Sequence, residues 1–289
     1  MFEKILVPTD FSKYSQKVLE CVGELPGLKE VVLLHVVGPA DPLARVWDPG
    51  ARLEEAKERI EVQRKYLEGT GLKAVAKVQP VLEGNISRLI ESVAEAEKVS
   101  LIVMGARGKG LVKSVILGNV AKSMVRFGKT HLLIMRYKIL DSADGPVFEM
   151  FCHRTFSKVL CPTDFSVPSD QAISFMKGLE GVSDIELLHV VSQGESKEEI
   201  DASYQEAASK LNVMREDLEK SGIKCHVHVD VGSPAEEILE VAAKEDVSLI
   251  ALSSHGMGWL EQLIIGSTAY DVSRMGDRPV LIIRANKPE

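Results

Sequence analysis

Lys4-Ile-Leu-Val-Pro-Thr-Asp-Phe-Ser12 recurs as Lys158-Val-Leu-Cys-Pro-Thr-Asp-Phe-Ser166, an offset of 154 residues from Asp10 to Asp164. Each copy is a short apolar run that stops at a proline and is followed by turn-forming and helix-opening residues. Leu33-Leu-His-Val-Val37 returns at the same offset as Leu187-Leu-His-Val-Val191. Further on, Val99-Ser-Leu-Ile102 returns as Val247-Ser-Leu-Ile250 at an offset of 148, so the second copy is six residues shorter between these points. Self-similarity on this length scale marks a duplicated domain, not a solenoid of short repeats.

Within one copy, short β-branched runs alternate with amphipathic stretches, the pattern of a parallel sheet covered by helices on both faces. In the first copy the pattern predicts strands near residues 3–8, 30–37, 73–81, 100–104 and 131–136. It predicts helices near 12–24, 51–69, 86–98 and 118–128. Asn85 and Ser233 read as N-caps, and Ser233-Pro-Ala-Glu236 as a capping box with proline at the first helical position. The expected fold is α/β, with two tandem doubly wound, Rossmann-like sheets of five parallel strands. The expected domains are residues 1–137 and 156–289, with 138–155 as a connecting segment whose Asp141-Ser-Ala-Asp-Gly-Pro146 has linker chemistry.

At 289 residues the chain suits two domains of about 150 residues, each able to bury its own core. Hydrophobic residues make up 45% and charged residues 27%, which excludes a disordered or fibrous chain. A net charge of -7 with 5% aromatics argues against nucleic-acid binding, which draws its affinity from neutralising phosphates. Nucleotides stay open, because backbone amides can hold them. Cys21, Cys152, Cys161 and Cys225 are widely spaced without a CxxC, suggesting neither a zinc site nor a disulfide framework. No apolar run reaches the ~18 residues of a membrane span, and the first residues lack a signal peptide's pattern. A cytoplasmic location follows as the expectation.

In an open parallel sheet, ligands bind beyond the carboxyl ends of the strands, where the winding reverses. Strand one ends in Pro8-Thr9-Asp10 and its copy in Pro162-Thr163-Asp164. Strand four runs into Gly105-Ala-Arg-Gly108, and Gly118-Asn119 opens the next helix. Glycines there let backbone N–H groups approach an anion, and a helix N-terminus adds a favourable dipole. Gly105-Ala-Arg-Gly-Lys-Gly110 matches the start of a P-loop, but Leu111-Val112 stands where Lys-Ser/Thr is required. A dinucleotide GxGxxG after strand one is absent. Taken alone, the GxxG reads as a turn; paired with the distant Gly-Asn it reads as a phosphate cradle.

The spacing Gly105-x2-Gly108-x9-Gly118, with Pro-Thr-Asp-Phe-Ser after strand one and Leu-His-Val-Val in strand two, resembles the universal stress protein family, in tandem form. The resemblance covers both copies. It implies a five-stranded parallel sheet and an adenine-nucleotide site, for ATP or AMP, in each copy; whether Mg2+ accompanies the nucleotide stays open. By that resemblance Asp10 and Val36, beside Pro8, border the adenine. Gly105 and Arg107 approach the ribose and first phosphate, and Gly108, Gly118, Asn119 and Val120 cradle phosphates. The matching second-copy positions are Pro162, Asp164, Val190, Ser253, His255, Gly256, Gly266, Ser267 and Thr268. Two departures stand out: Asn119 where the family has Ser or Thr, and Ser253 in place of the first glycine. The resemblance further implies pairing of the two copies through their last strands, Leu132–Met135 and Val280–Ile283, as an intramolecular pseudo-dimer, with a homodimer left open. No membrane partner is expected.

The expected function is nucleotide-dependent sensing or regulation in a stress response, without dedicated turnover and with no catalytic residue assigned. The alternatives are a slow ATP hydrolase or nucleotidyl transferase on the same fold, and an interaction module with degenerate sites. His226, His228 and Asp230 share one face of a strand by period two. With Val78 and Pro80 taken as the first-copy counterparts of the two histidines, they read as the polar face of an edge strand in preference to a metal site. His35 and His189 read as satisfied sheet histidines, and Asp10 and Asp164 as helix caps compatible with ligand contact.

Overall fold

The computed structural model describes residues 2–38, 50–81, 86–107, 117–142, 145–150, 155–192, 196–256 and 265–284, with the backbone alone over 137–142 and 145–150. The chain divides into two compact units, Met1–Met135 and Arg136–Glu289. The first holds β1 (Lys4–Pro8), α1 (Lys13–Val22), β2 (Glu30–Val37), α2 (Gly50–Gly69), β3 (Lys73–Pro80), α3 (Ile86–Ala96), β4 (Leu101–Gly105), α4 (Asn119–Phe127) and β5 (His131–Met135). Every strand and helix read from the sequence is present within about two residues of its expected ends, the usual latitude of such boundaries.

Its strands lie in the order β5-β4-β1-β2-β3, and each neighbouring pair is parallel. Ile5, Leu6, Val31–Leu34, Leu101, Ile102 and Leu132–Ile134 are all fully buried. Side chains of a strand alternate between faces, so continuous burial means helices cover both sides. The winding runs outward from β1 to β3 and then reverses to β4 and β5. The reversal places the carboxyl ends of β1 and β4 side by side, which is the switch point where such sheets bind ligands.

After β6 (Tyr137–Ser142) and β7 (Gly145–Met150), the second unit repeats the plan. It comprises β8 (Lys158–Pro162), α5 (Val167–Lys177), β9 (Asp184–Val191), α6 (Lys197–Lys220), β10 (Lys224–Val231), α7 (Pro234–Lys244), β11 (Leu249–Ser253), α8 (Ser267–Met275) and β12 (Val280–Ile283). Its parallel order is β12-β11-β8-β9-β10.

Three expectations change. The segment read as plain connection contains an antiparallel hairpin: β6 pairs with β7 from Tyr137↔Met150 to Ser142↔Gly145. Asp141 and Ser142 therefore lie in a strand, paired with Pro146 and Gly145, and not in a plain linker. The six-residue deficit is split in two. Offsets are 154 from β2 to β9, 151 from β3 to β10 and 148 from α3 to α7, so the counterparts of His226 and His228 are Val75 and Lys77. The capping box at Ser233 is not closed: Ser233 is the N-cap of α7 and Pro234 follows, but the hydroxyl makes no cap bond. The Ser233 carbonyl instead accepts from both Glu236 and Glu237 N–H at 3.0 Å, which occupies the donor the box would use. Asn85 lies outside the described residues.

At the amino ends of the strands each unit is tied by a buried-edge charge network. In the first, Lys4 bridges Glu30 at 3.0 Å and Glu97 at 2.8 Å, and Lys77 reaches Glu97 at 2.5 Å. In the second, Lys158 meets Glu186 at 3.1 Å, and His228 takes the place of Lys77 with its Nε2 2.6 Å from Glu186. Burial pushes the Glu186 carboxyl up, but bonds from His228 and Lys158 outweigh it and hold the group below the usual carboxylate range. Cys21, Cys161 and Cys225 are buried free thiols, and burial raises the last to about 12, so it is inert at neutral pH.

Candidate functional site

The first wall of the site is built by the tetrapeptide after β1. Thr9 N–H still bonds to Leu34 O at 2.9 Å, carrying the strand pairing one residue past Pro8. Thr9 Oγ1 accepts from Phe11 N–H at 3.2 Å and donates to Ser15 Oγ. Asp10 Oδ1 accepts from Ser12 N–H at 3.0 Å, and Ser12 Oγ in turn accepts from Ser15 N–H at 3.2 Å. The N-cap of α1 is thus Ser12, and Asp10 closes the turn before it. The second unit repeats this with Thr163, Asp164, Phe165, Ser166 and Ser169, and Ser166 caps α5. The reading of Asp10 and Asp164 as helix caps is corrected accordingly.

This turn forces a phenylalanine into left-handed backbone, at φ 60° for Phe11 and 61° for Phe165. For a bulky residue that costs on the order of 1–2 kcal/mol. What holds it is a stack duplicated in both units. Phe11 lies on His35 with centroids 4.2 Å apart, and Arg59 of α2 lies over its ring at 4.4 Å. Phe165, His189 and Lys210 repeat the arrangement. His35 Nδ1 is 2.7 Å from Thr9 O and His189 Nδ1 is 2.8 Å from Thr163 O, so both histidines are satisfied within the sheet. Both also line the cavities described next, a placement that periodicity did not announce.

The second wall is the glycine loop. Gly118 N–H donates to Ala106 O, and Gly266 N–H to Ser254 O, each at 2.8 Å. These bonds pin the start of α4 and α8 to the ends of β4 and β11. Gly118 and Gly266 sit at φ −63° and −66°, backbone open to any residue. None of Gly105, Gly118, Gly256 or Gly266 has positive φ; among the described residues the glycines that do are Gly27, Gly71, Gly181 and Gly222. The turn-residue explanation therefore does not account for the motif glycines; close approach within the fold accounts for Gly105 and Gly256, whereas a Cβ at Gly118 or Gly266 would keep ordinary contacts of 3.6 Å. A Cβ at Gly105 would meet Arg107 O at 3.1 Å, and one at Gly256 would meet Asp164 Oδ2 at 2.3 Å. Ser253, which stands where the first unit has Gly105, turns the tight spot to use: its hydroxyl donates to His255 O at 2.5 Å.

Between the walls lies a cavity of about 500 Å³ in the first unit and about 720 Å³ in the second. Both sizes are ordinary for small-molecule sites. Pro8, Asp10, Val36, Gly105, Arg107, Gly118, Asn119 and Val120 all line the first. Pro162, Asp164, Val190, Ser253, His255, Gly256, Gly266, Ser267 and Thr268 all line the second. Gly108 lies outside the described residues. Sequence reading missed the apolar contribution of Leu34, Ile86, Ile90 and Met104, whose burial in a core pattern gave no sign that one edge faces a cavity.

The electrostatics follow from the helix ends. α1 and α5 are capped by their own serines, whereas α4 and α8 carry no side-chain cap. The backbone N–H groups of Asn119 and Val120, and of Ser267 and Thr268, have no acceptor among the described residues. Such orphan donors at the positive end of a helix dipole are chemically able to receive an anion. In the second unit burial, and beside it the charge of Asp164, raise the carboxyl of Asp170, which stands where the first unit has Gln16.

The model of the universal stress protein family matches residues 1–136 and again 155–284. A universal stress protein of Methanocaldococcus jannaschii is 29% identical over 154 residues, which cover 45% of this chain and 95% of that one. Another, from Mycolicibacterium smegmatis, is 24% identical over 97% of this chain and 96% of its own. Among solved structures, that of a universal stress protein from Archaeoglobus fulgidus superimposes over 99% of this chain and 97% of its own, with a TM-score of 0.74 and 26% identity.

Proposed function

The chain belongs to the universal stress protein family, and on that footing we propose that each unit binds one adenine nucleotide, ATP or AMP, in its strand-end cavity and that the protein acts as a nucleotide-dependent regulator of a stress response. The observation that carries this reading is the uncapped N-terminus of α4 and of α8, opening on a cavity that glycines keep free of side chains. Phosphates would rest against the amides of Asn119 and Val120, with Arg107 supplying charge; in the second unit Ser267, Thr268 and His255 hold those places. The base would lie against Val36 and Met104 with Asp10 at its edge, an apolar slot carrying one polar group for orientation.

Calorimetric titration of nucleotide-stripped protein with ATP, ADP and AMP tests the proposal, with released phosphate assayed in the same samples. Saturable binding at two nucleotides per chain without phosphate release is expected. Steady phosphate release would replace the regulator with a hydrolase, and absence of binding would leave an interaction module.

A further inference from the structure

The open edge of the second sheet carries a set of side chains that the nucleotide reading does not use. Parallel register sets Asp184 of β9 beside Lys224 of β10 and Glu186 beside His226. One ligand atom each from Asp184, Glu186 and His226 lies within 4.8 Å of the others. Asp184 Oδ1 is buried and accepts no hydrogen bond among the described residues, although Oδ2 meets the exposed Lys224 amine at 3.3 Å. The exposed His226 ring makes no hydrogen bond or ion pair among the described residues. Glu186 is 1% exposed, with Lys158 at its Oε1 and His228 at its Oε2.

These are three separate anomalies for a polar sheet edge. A buried acceptor without a donor calls for an explanation, and a bound cation is one of the standard ones. A carboxylate buried in strand β9 stands where the duplicate unit has Val32, so the fold itself does not require it. An unpartnered imidazole faces both. Two carboxylates and an imidazole, the central carboxylate oriented by a second histidine, form a donor set suited to a divalent transition metal with a solvent position left open. Ligand atoms about 2.1 Å from one ion stand roughly 3.4 Å apart, which modest side-chain rotations reach from the present separations. Lys224, long and exposed, is free to swing off Asp184 when a cation of higher charge arrives.

We infer that Asp184, Glu186 and His226 form a divalent transition-metal site of the zinc class, peculiar to the second unit, with His228 as the residue that orients Glu186. Read from the sequence, the face His226-x-His228-x-Asp230 is a polar strand edge in preference to a metal site, and the one triplet it could offer is a different one. The strand register replaces His228 and Asp230 as ligands with Asp184 and Glu186 from the neighbouring strand. The first unit, with Glu30, Val32 and Val75 at the three positions, is the internal control.

The test is titration of the full-length, nucleotide-free protein, without a polyhistidine tag, with Zn2+ and with Co2+, followed by calorimetry and by visible absorption of bound Co2+. One Zn2+ per chain is expected. His226→Ala, at an exposed position that leaves the core untouched, and Asp184→Asn should each weaken it by about tenfold or more and abolish the Co2+ spectrum, with unchanged circular dichroism. Absence of saturable Zn2+ binding overturns the inference. So does binding that survives His226→Ala, including binding lost only in His255→Ala, which would put the ion at the glycine loop.

Discussion

The α-carbon of Gly256 sits under the Asp164 carboxylate so closely that a Cβ there falls 2.3 Å from Oδ2. The other oxygen is already fixed, accepting from Ser166 N–H at 3.1 Å and from Ser166 Oγ at 2.5 Å. Gly256→Ala must therefore displace either the loop or the aspartate. We expect a loss of about 1–3 kcal/mol in stability, read by denaturant unfolding, together with loss of nucleotide binding in the second unit alone. Gly118→Ala is the contrast. Its Cβ would have ordinary contacts, 3.6 Å to Ala106 O and 3.8 Å to Arg107 Cα, and stability should stay within about 0.5 kcal/mol. A fall in nucleotide affinity of that variant then reports crowding of the ligand and not damage to the fold, and equal unfolding of the two variants would sink the distinction. At this scale the sequence showed which residues matter, because Thr-Asp-Phe-Ser occurs twice. It did not show their division of labour: aspartate and serine are equally good caps, so only the geometry assigns Ser12 to the helix and Asp10 to the turn. The left-handed phenylalanine between them has no sequence signal at all.

Between elements, the network of Lys4 on β1, Glu30 on β2, Lys77 on β3 and Glu97 beyond α3 fastens the end of the first sheet remote from the cavity. Hydrogen bonds from Lys4 and then Lys77 outweigh burial and bring the Glu97 carboxyl from 4.5 down to about 2. A carboxyl lowered on folding contributes stability that is whole above pH 4.5 and is lost as pH falls from 4.5 through about 2. Glu97→Gln should flatten the acid limb of a pH–stability profile across that window and cost on the order of 1 kcal/mol at pH 7, since both partners keep some exposure to water. An unaltered acid limb would show that the network is ornamental. The caps give a parallel test: Ser12→Ala removes the bond to Ser15 N–H and should lower stability by about 1 kcal/mol. Elements of this kind were legible because burial on both faces imposes unbroken apolar runs on strands such as Val31–Leu34, while the helices between keep their amphipathic period. The register of β3 and β10 was not. Both are edge strands of mixed composition, Lys-Ala-Val-Ala-Lys-Val-Gln-Pro against Lys-Cys-His-Val-His-Val-Asp-Val, so a three-residue slip leaves the pattern equally plausible until hydrogen bonds decide it.

Over the whole chain, duplication kept the scaffold and varied the site. The two turns after β1 and β8 share their backbone-to-side-chain hydrogen bonds, and both phenylalanine stacks are retained. The cavity walls diverge where a phosphate would lie: Arg107 against His255, Asn119 against Ser267, Val120 against Thr268, Gly105 against Ser253. A delocalised guanidinium that is always charged and an imidazole bonded through Nδ1 to Ser254 Oγ at 2.9 Å cannot present the same field to an anion. Two nucleotides per chain should consequently bind with two resolvable affinities. Arg107→Ala should weaken one class of site by about tenfold, the worth of one charged hydrogen bond, and leave the other unmoved; His255→Ala should do the reverse. Titration of the two single variants and the double variant separates the cases. If either substitution shifts both classes together, the sites do not follow the two units, and the assignment of one cavity to each copy fails while the fold stands.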